Sequence, residues 1–450
     1  LSYNLAHSAR HQQPSITRLR RDPQLPNAQT QLQMYYQHHI LRTKTNDLRV
    51  WQSMLISLCS LLLIPCSLIS CRGDEIIFPA EYEILPMESR ELSSFTANEP
   101  IGMYLLNEGN MGSNKATIDY VDFCNGYYIR NIYGERNPNV IKELGDVGND
   151  IQVYGGRLYA VINCSHKVEV MDARTCRRIG QVDIPNCRYI CFHDGKAYVS
   201  SYVGPVSIDP DAQLGAVLEI DTATLQITRK VTVGYQPEEL LIHDEHLYVV
   251  NSGGYRGPDY DSTLSVVSLR DFRQVQKIPV CLNPHRLRKD QYNQLWITSR
   301  GDHKDIQAQL TCFSPISNSS PERPIGGTPS NSHTVVSYRI SPSEMVLMGD
   351  SMYYYGTHWN EQTMSNQITY GVFDIREQNA VVRSFITDGS EKDIKIPYGI
   401  QVNPYNGDIY VTDAKNYVSS GQLHCYSREG KRKWTVRTGD IPAHMCFVYR

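Results

Sequence analysis

The pattern of apolar and polar positions in residues 237–280 predicts four short strands. An apolar run at residues 239–242 is followed by a polar turn and a second run at residues 246–250, which is rich in β-branched and aromatic side chains. A glycine-rich loop that begins at Asn251 ends this second strand, and two segments of alternating polarity follow it. One sheet of this kind cannot bury both of its faces, so it needs neighbours of the same kind.

The same pattern occurs seven times along the chain. Each copy has a large aromatic residue in its second strand and a polar residue at the end of its third strand. Four-stranded units that recur about every 40 to 50 residues are typical of a β-propeller, in which blades pack around a central channel. We therefore predict an all-β fold, a seven-bladed β-propeller of four-stranded blades. The aromatic landmarks are Tyr104, Tyr159, Tyr198, Tyr248, Trp296, Tyr353 and Tyr410.

The last segment of the sequence predicts how the ring closes. Residues 441–447 resemble residues 184–190, the predicted inner strand of another blade, but no blade follows them. The first copy starts directly at its second strand, at Ile101. We therefore expect the C-terminal strand to join the first blade as its inner strand, which removes two exposed sheet edges.

The first 97 residues do not follow the repeat. Residues 1–53 are polar, carry seven Arg or Lys against two Asp and lack periodicity, so we expect a disordered leader with a mis-assigned translation start. Residues 54–70 are uncharged and rich in leucine, with the length of a signal peptide's apolar region rather than of a spanning helix. Residues 71–97 are expected to form a tether, and residues 98–450 the propeller.

Cys71 directly follows that apolar run, and residues 68–71 (LISC) resemble a bacterial lipobox. The cysteine of a lipobox is diacylated, and its acyl chains anchor a soluble domain to a membrane. We therefore predict lipidation of Cys71 and a position in the bacterial cell envelope, attached to the outer membrane and exposed at the cell surface.

Charge and motifs exclude several classes of function. The net charge is −3 with both signs interspersed, so no basic face for nucleic acid is expected. The sequence has no nucleophile elbow, zinc-binding His pair of the HExxH type or phosphate-binding loop, so no catalytic residue, metal ion or cofactor is predicted. His243 and His246 look like a metal-binding pair, but they align with a strand turn at His193 and Lys196 of the preceding blade.

The propeller contains nine cysteines, an odd number without any CxxC spacing. Cys164, Cys176, Cys187 and Cys191 lie in neighbouring blades and could pair if their Cα atoms come within disulfide range. Most of the nine are expected to be small buried hydrophobic residues.

One face of a propeller collects the loops between second and third strands and the loops that lead into each inner strand. We call it the loop face. Here these loops contain amides, aromatic residues and a few charges, which is the composition of a ligand-binding rim. The residues predicted to contact a ligand are Asn107, Glu108, Arg188, Tyr202, Tyr255, His285, Arg300, Trp359, Tyr417 and His444.

Four segments carry a resemblance to a known family: residues 106–112, 144–151, 251–255 and, most specifically, NGDIYVTDAKNY at 406–417. Residues 101–447 resemble the YncE-like, DUF5074 seven-bladed propellers of surface lipoproteins, and are similar to BtuG-type proteins that capture cobalamin and pass it to a TonB-dependent transporter. The resemblance implies a non-enzymatic binding role. Residues 316–334 depart from the blade pattern as a Pro/Ser/Gly-rich insertion, which puts the outer strand of the fifth blade in question.

We therefore expect a lipoprotein that binds a small or medium-sized ligand on the loop face and assists uptake at the outer membrane, with a corrinoid such as cobalamin as a candidate. A glycan could use the same aromatic and amide groups, and a protein ligand would make the chain an adhesive surface protein. A metal-dependent propeller lyase or lactonase is the enzymatic alternative.

Overall fold

The computed structural model describes residues 80–140, 144–315, 333–360, 364–381 and 383–450, with the backbone alone at 359 and 360. The expected leader and signal peptide, residues 1–70, and the expected lipidation site Cys71 lie outside these ranges. None of the helices in the described ranges is long and apolar enough to cross a membrane.

The described strands form seven antiparallel sheets, which are the blades of the ring. The strands of blades 1 to 4 in chain order are β1 (Glu81–Ile84), β2 (Gly102–Asn107), β3 (Thr117–Asp122), β4 (Tyr127–Arg130), β5 (Gly148–Tyr154), β6 (Arg157–Ile162), β7 (Lys167–Asp172), β8 (Arg178–Asp183), β9 (Cys187–His193), β10 (Lys196–Ser201), β11 (Leu214–Asp221), β12 (Ile227–Tyr235), β13 (Pro237–His243), β14 (His246–Asn251), β15 (Thr263–Ser268) and β16 (Arg273–Pro279).

The remaining strands are β17 (Pro284–Lys289), β18 (Leu295–Ser299), β19 (Leu310–Ser314), β20 (Thr334–Tyr338), β21 (Glu344–Met348), β22 (Ser351–Asn360), β23 (Ser365–Asp374), β24 (Asn379–Val381), β25 (Pro397–Val402), β26 (Ile409–Asp413), β27 (Ser420–Tyr426), β28 (Arg432–Asp440) and β29 (Pro442–Val448). Helical turns are confined to one short α-helix (Ile132–Arg136) and two 3-10 turns (Leu92–Ser94 and Ser390–Asp393) within the described ranges. The predicted all-β, seven-bladed propeller is confirmed.

Blade 1 closes the ring. β29 pairs antiparallel with β2 along the whole length of β2, so the C-terminal strand is the inner strand of this blade, as the sequence predicted. A fifth strand, β1, pairs with β4 at the outer edge. The expected tether thus contributes a strand, and its residues Leu85 and Phe95 are 2% and 4% exposed. The blade therefore begins before residue 98.

The aromatic landmarks of the second strands contribute to the packing between blades. Tyr104, Trp296 and Tyr410 are at most 1% exposed. The hydroxyl of Tyr104 donates a hydrogen bond to the carbonyl oxygen of Ala173 in blade 2 at 3.1 Å. Burial of each large ring contributes about 2 to 3 kcal/mol. The hydrophobic core is accordingly a ring of clusters between neighbouring blades rather than one centre.

Two segments that the sequence analysis discussed as exceptions to the blade pattern or as a metal site form regular parts of the sheets. His243 pairs with His246 across the tight turn between β13 and β14, so this motif is a strand connection, as predicted. β20 pairs with β19 and supplies the outer strand of blade 5. The insertion that precedes it, residues 316–332, lies outside the described residues.

All nine cysteines of the described chain are free thiols, and six of them are buried. The disulfide pairing considered for Cys164, Cys176, Cys187 and Cys191 is not formed. The buried thiols act as small apolar side chains, as expected.

Candidate functional site

Six of the ten predicted ligand-contact residues belong to one network of contacts on the loop face. The network extends across inner strands and loops of blades 1, 3, 4 and 5, and its centre is Glu238, the second residue of β13. Its predicted members are Arg188, Tyr202, Tyr255, His285, Arg300 and His444.

Glu238 holds this network together through both of its carboxylate oxygens. Its Oε2 accepts hydrogen bonds from Nε and Nη2 of Arg188 at 3.1 and 3.0 Å. Its Oε1 accepts one from the Tyr202 hydroxyl at 2.6 Å and lies 3.6 Å from Nη1 of Arg300. Burial alone would raise the pKa of Glu238, but Arg188 and Arg300 hold it below its ordinary value. The buried carboxylate is therefore charged.

His285 is a neutral imidazole in this network. Its Nε2 lies 2.8 Å from Nη2 of Arg300 and 3.2 Å from the hydroxyl of Tyr189. Because a guanidinium group can only donate, Nε2 accepts, and the ring proton is on Nδ1. Burial and the positive charge of Arg286 lower the pKa of His285 well below its ordinary value, in agreement with this assignment.

The aromatic residues of the network are held by charges and by ring contacts. The Arg188 guanidinium lies 4.9 Å from the ring centroid of Tyr202, and the rings of Tyr202 and Tyr255 make a T-shaped contact with 6.2 Å between their centroids. The ring of His444 meets Tyr189 at 5.9 Å. Burial and the positive charge of nearby arginines lower the pKa of His444 well below its ordinary value. Contacts within the protein hold these rings in position.

Glu108 and Tyr417 are connected through Tyr398 on the same face. The Tyr398 hydroxyl donates to Oε2 of Glu108 at 2.9 Å, and its ring contacts Tyr417 edge to face at 5.7 Å. Burial raises the pKa of Glu108 to about 7. The side chain of Tyr417 is more open to solvent, since the residue is 42% exposed.

Asn107 and Trp359 are not brought into either group by the described contacts. Asn107 is 0% exposed, and its Nδ2 donates to Oγ1 of Thr117 at 3.1 Å. A Cβ atom at Gly439 would lie 2.8 Å from its Cγ, so the amide fills the contact between blades 1 and 7. A ligand contact from Asn107 remains a prediction. The side chain of Trp359 lies outside the described residues.

Four charged residues that the sequence did not single out form a closed ion-pair network beneath the loop face. Arg286 lies 3.1 Å from Glu239 and 2.7 Å from Glu344. Arg288 pairs with the same two carboxylates, at 3.0 Å for Glu344. Arg286 and Arg288 are two residues apart in β17, a spacing that puts both on one face of the strand. That spacing is the signal from which the network could have been found.

The loop face carries a pocket of about 750 Å³ between blades 5, 6 and 7. Its volume lies within the range of small-molecule sites. The cations Arg286, Arg300 and Lys304 outnumber the single carboxylate, Asp305, in its lining. Tyrosine rings form part of its wall, contributed by Tyr355, Tyr398 and Tyr417.

A smaller cavity of about 390 Å³ occupies the channel and is lined by residues of all seven inner strands. Glu239, Arg288 and Glu344 line this channel cavity, whereas Arg286 lines the loop-face pocket. The ion-pair network therefore lies between the two spaces. Within the ranges that the structure describes, no three His, Cys, Asp or Glu side chains are grouped so that they could hold a metal ion.

Comparison with known proteins gives a family match over part of the chain and supports the fold. Residues 101–254, about a third of the chain, match the family model described as "domain of unknown function (DUF5074)". This stretch comprises β2 to β4 of blade 1, all of blades 2 and 3, and the first two strands of blade 4. No curated protein matches the chain.

Several solved structures are similar in fold at low sequence identity. A hypothetical selenium-binding protein from Sulfolobus tokodaii is 10% identical, with 77% of this chain and 93% of that chain covered and a TM-score of 0.54. A quinonprotein alcohol dehydrogenase-like protein from Bacteroides thetaiotaomicron is 12% identical, with 79% of each chain covered and a TM-score of 0.51. The periplasmic gluconolactonase of Pseudomonas aeruginosa is 13% identical, with 77% and 99% covered and a TM-score of 0.50. The predicted resemblance to DUF5074 is therefore confirmed for residues 101–254, within a chain that folds as a seven-bladed β-propeller. The similarity to BtuG-type cobalamin-binding proteins stays a prediction.

Proposed function

We propose that this protein binds a small or medium-sized organic ligand in the loop-face pocket. The observation that carries the proposal is the pocket of about 750 Å³, which is lined by the guanidinium groups of Arg286 and Arg300, by Lys304 and by a wall of tyrosine rings. His285, Arg300 and Tyr417, which the sequence predicted as ligand contacts, all line it. Glu238 and His285 hold Arg300 in place before any ligand arrives, and a preformed site loses less conformational entropy on binding.

The chemistry of the lining favours a ligand with anionic or amide acceptor groups and a flat or apolar surface. Guanidinium groups donate in pairs to phosphate, carboxylate and carbonyl oxygens, and tyrosine faces pack against apolar surfaces. A corrinoid such as cobalamin combines amide side chains, a phosphodiester and a planar macrocycle, so it remains the first candidate. A glycan would use the same tyrosine faces and is the second candidate.

Isothermal titration calorimetry with cyanocobalamin, cobinamide and a panel of glycans tests the ligand class. We expect heat with cyanocobalamin and weaker heat with cobinamide, which lacks the phosphate-linked nucleotide. Binding heat with glycans alone would show that the ligand is a sugar and not a corrinoid. The absence of heat with any corrinoid would remove the corrinoid version of the proposal.

The proposal includes attachment to the outer membrane through acylated Cys71 and work beside a TonB-dependent transporter. Its support is the lipobox-like sequence LISC at residues 68–71. In a bacterial host, radiolabelled palmitate should enter the wild-type protein but not a Cys71→Ala variant, which should leave the membrane fraction. Co-purification of a TonB-dependent transporter with the wild-type protein tests the partner. Equal labelling of both proteins would contradict the anchor.

A second candidate is an enzyme of the lyase or lactonase class. The observation in its favour is Glu108, a half-buried residue with a pKa of about 7 that is hydrogen-bonded to Tyr398, since general acid–base catalysis needs a pKa near the working pH. One propeller of similar fold is a gluconolactonase. Elemental analysis for a bound divalent ion, together with hydrolysis assays on a panel of lactones, separates this candidate from binding. Turnover that is lost in Glu108→Gln would favour the enzyme.

A further inference from the structure

A third cavity, of about 720 Å³, lies between blades 1 and 2 and shares no lining residue with the loop-face pocket or the channel cavity. We call it the side cavity. The turns between the third and fourth strands of both blades contribute to its lining, and these turns lie on the face opposite the loop face. Ile101, Ile129 and Ile132 form an apolar floor that belongs to the core of these blades.

The segment before β2 builds one wall of the side cavity and is held in place by several contacts. The backbone N–H of Arg90 donates to the carbonyl oxygen of Cys124 at 2.7 Å. The Arg90 guanidinium lies 2.5 Å from Glu99 and 4.2 Å from the ring centroid of Phe95. Phe95, like Leu85 at the other end of the segment, is buried. The wall is therefore a fixed part of the blade.

Arg174 and Arg177 also line the side cavity, and Arg174 lies close enough to Asp172 to interact with its charge. Arg90 and Arg136 have acidic neighbours, but Arg174 and Arg177 form no ion pair with any residue in the described ranges. Asp122, one of the two acids of the lining, uses its oxygens within its own turn: Oδ1 accepts from the backbone N–H groups that follow it, and Oδ2 from Asn125. Glu91 is the other acid of the lining and is exposed. The cavity therefore offers two guanidinium groups that are not held in ion pairs, those of Arg174 and Arg177, beside an apolar floor.

We propose that the side cavity binds a small organic anion with an apolar body, such as a carboxylate, sulfonate or phosphate on an aromatic or branched aliphatic frame. The body packs on the isoleucine floor, because burial of apolar area stabilises the complex. The anionic head pairs with Arg174 and Arg177, since guanidinium groups recognise such heads through paired hydrogen bonds. Inorganic phosphate lacks the body and naphthalene lacks the head, so each alone binds more weakly.

The test uses anilinonaphthalene sulfonate as the probe and the alkylation of Cys124 as a local readout. Cys124 lines the side cavity and is half-buried, and Cys164 is equally half-buried on the loop face. The rate at which iodoacetamide alkylates each thiol is measured by peptide mass spectrometry. Dye at about ten times its dissociation constant should slow the alkylation of Cys124 by about tenfold, which corresponds to occupancy near nine-tenths, and leave Cys164 unchanged.

A double substitution, Arg174→Gln with Arg177→Gln, should raise the dye concentration needed for this protection by about tenfold or more. The matched control is Arg270→Gln with Arg273→Gln, which changes the corresponding turn of blade 4 and should leave the protection intact. Unchanged alkylation of Cys124 at every dye concentration would overturn the proposal. Full protection in the Arg174/Arg177 variant, or equal protection by naphthalene, would also overturn it. Cys164 lines none of the three cavities, so its alkylation controls for general effects of the dye. The loop-face proposal is tested separately by calorimetry, so failure here is distinguishable from failure of that proposal.

Discussion

Arg188 donates two hydrogen bonds to one oxygen of Glu238, at 3.1 and 3.0 Å, and so joins the inner strands of blades 3 and 4. The side chains are 12% and 1% exposed, so the pair is almost completely buried. Removal of one partner of a buried ion pair strongly destabilises the folded protein, because the other charge is then buried without compensation.

Replacement of Glu238 by glutamine should therefore destabilise the propeller. The variant leaves Arg188 and Arg300 facing a neutral amide, and we expect the free energy of unfolding to fall by about 3 kcal/mol in urea titrations. Asp393→Asn, which removes the exposed partner of Arg432, is the control and should change stability little. Equal stability of Glu238→Gln and the wild type would show that the pair does not support the fold.

Removal of the tyrosine ring at position 417 should weaken ligand binding without unfolding the protein. Tyr417 lines the loop-face pocket and is 42% exposed. With whichever ligand the calorimetric panel identifies, Tyr417→Ala should reduce the binding free energy by about 1 kcal/mol. Tyr405 is 53% exposed but lies outside the loop-face pocket, so Tyr405→Ala should bind normally. A matching loss in both variants would speak against the pocket.

Substitution of Glu108 should change how stability depends on pH. The folded protein keeps this carboxyl protonated up to about pH 7, whereas the ordinary pKa is 4.5. The folded state therefore binds more protons between these pH values, and its stability falls as the pH rises through the window. Glu108→Gln removes this destabilisation and keeps an acceptor for Tyr398. We expect a gain of about 1 to 3 kcal/mol at pH 8 that disappears near pH 4 in urea titrations. A difference that is the same at both pH values would contradict the assignment.

Deletion of residues 441–450 should abolish the cooperative thermal transition. The deletion removes β29, exposes the inner edge of β2 and opens the ring at blade 1. Calorimetry of the shortened chain should show no sharp unfolding peak, while a chain that lacks only the exposed residues 449–450 should unfold close to the wild type. A retained full transition in the shorter chain would mean that the closure is dispensable.

The fold was accessible from sequence because each blade repeats a strong local signal. Residues such as Tyr104 and Trp296 mark second strands whose side chains are buried between blades, and burial imposes a pattern on the sequence. β1 could not be found in the same way, since all four of its residues, from Glu81 to Ile84, are exposed. A strand without a buried side leaves no alternation to detect.

The loop-face site was accessible only in part. Membership of the face follows from position in the blade, so Arg300 and Tyr417 could be chosen without coordinates. The residues that contact these side chains could not be predicted, because they depend on which residues meet across the ring. Tyr189 and His285, for example, are 96 positions apart and belong to different blades. The central role of Glu238 arises from such meetings, and nothing in its local sequence distinguishes it from Glu239.

The direction of β29 determines how the protein should be immobilised for surface-based binding measurements. This strand starts beside Asn107 at the loop face and ends beside Gly102 at the opposite face. A biotinylated linker placed after Arg450 would thus fix the ring to a sensor surface with the loop-face pocket directed into solution. Coupling through a loop-face side chain would instead place the pocket against the sensor surface. The absence of a binding signal would then reflect the blocked pocket and would not show that the protein does not bind the ligand.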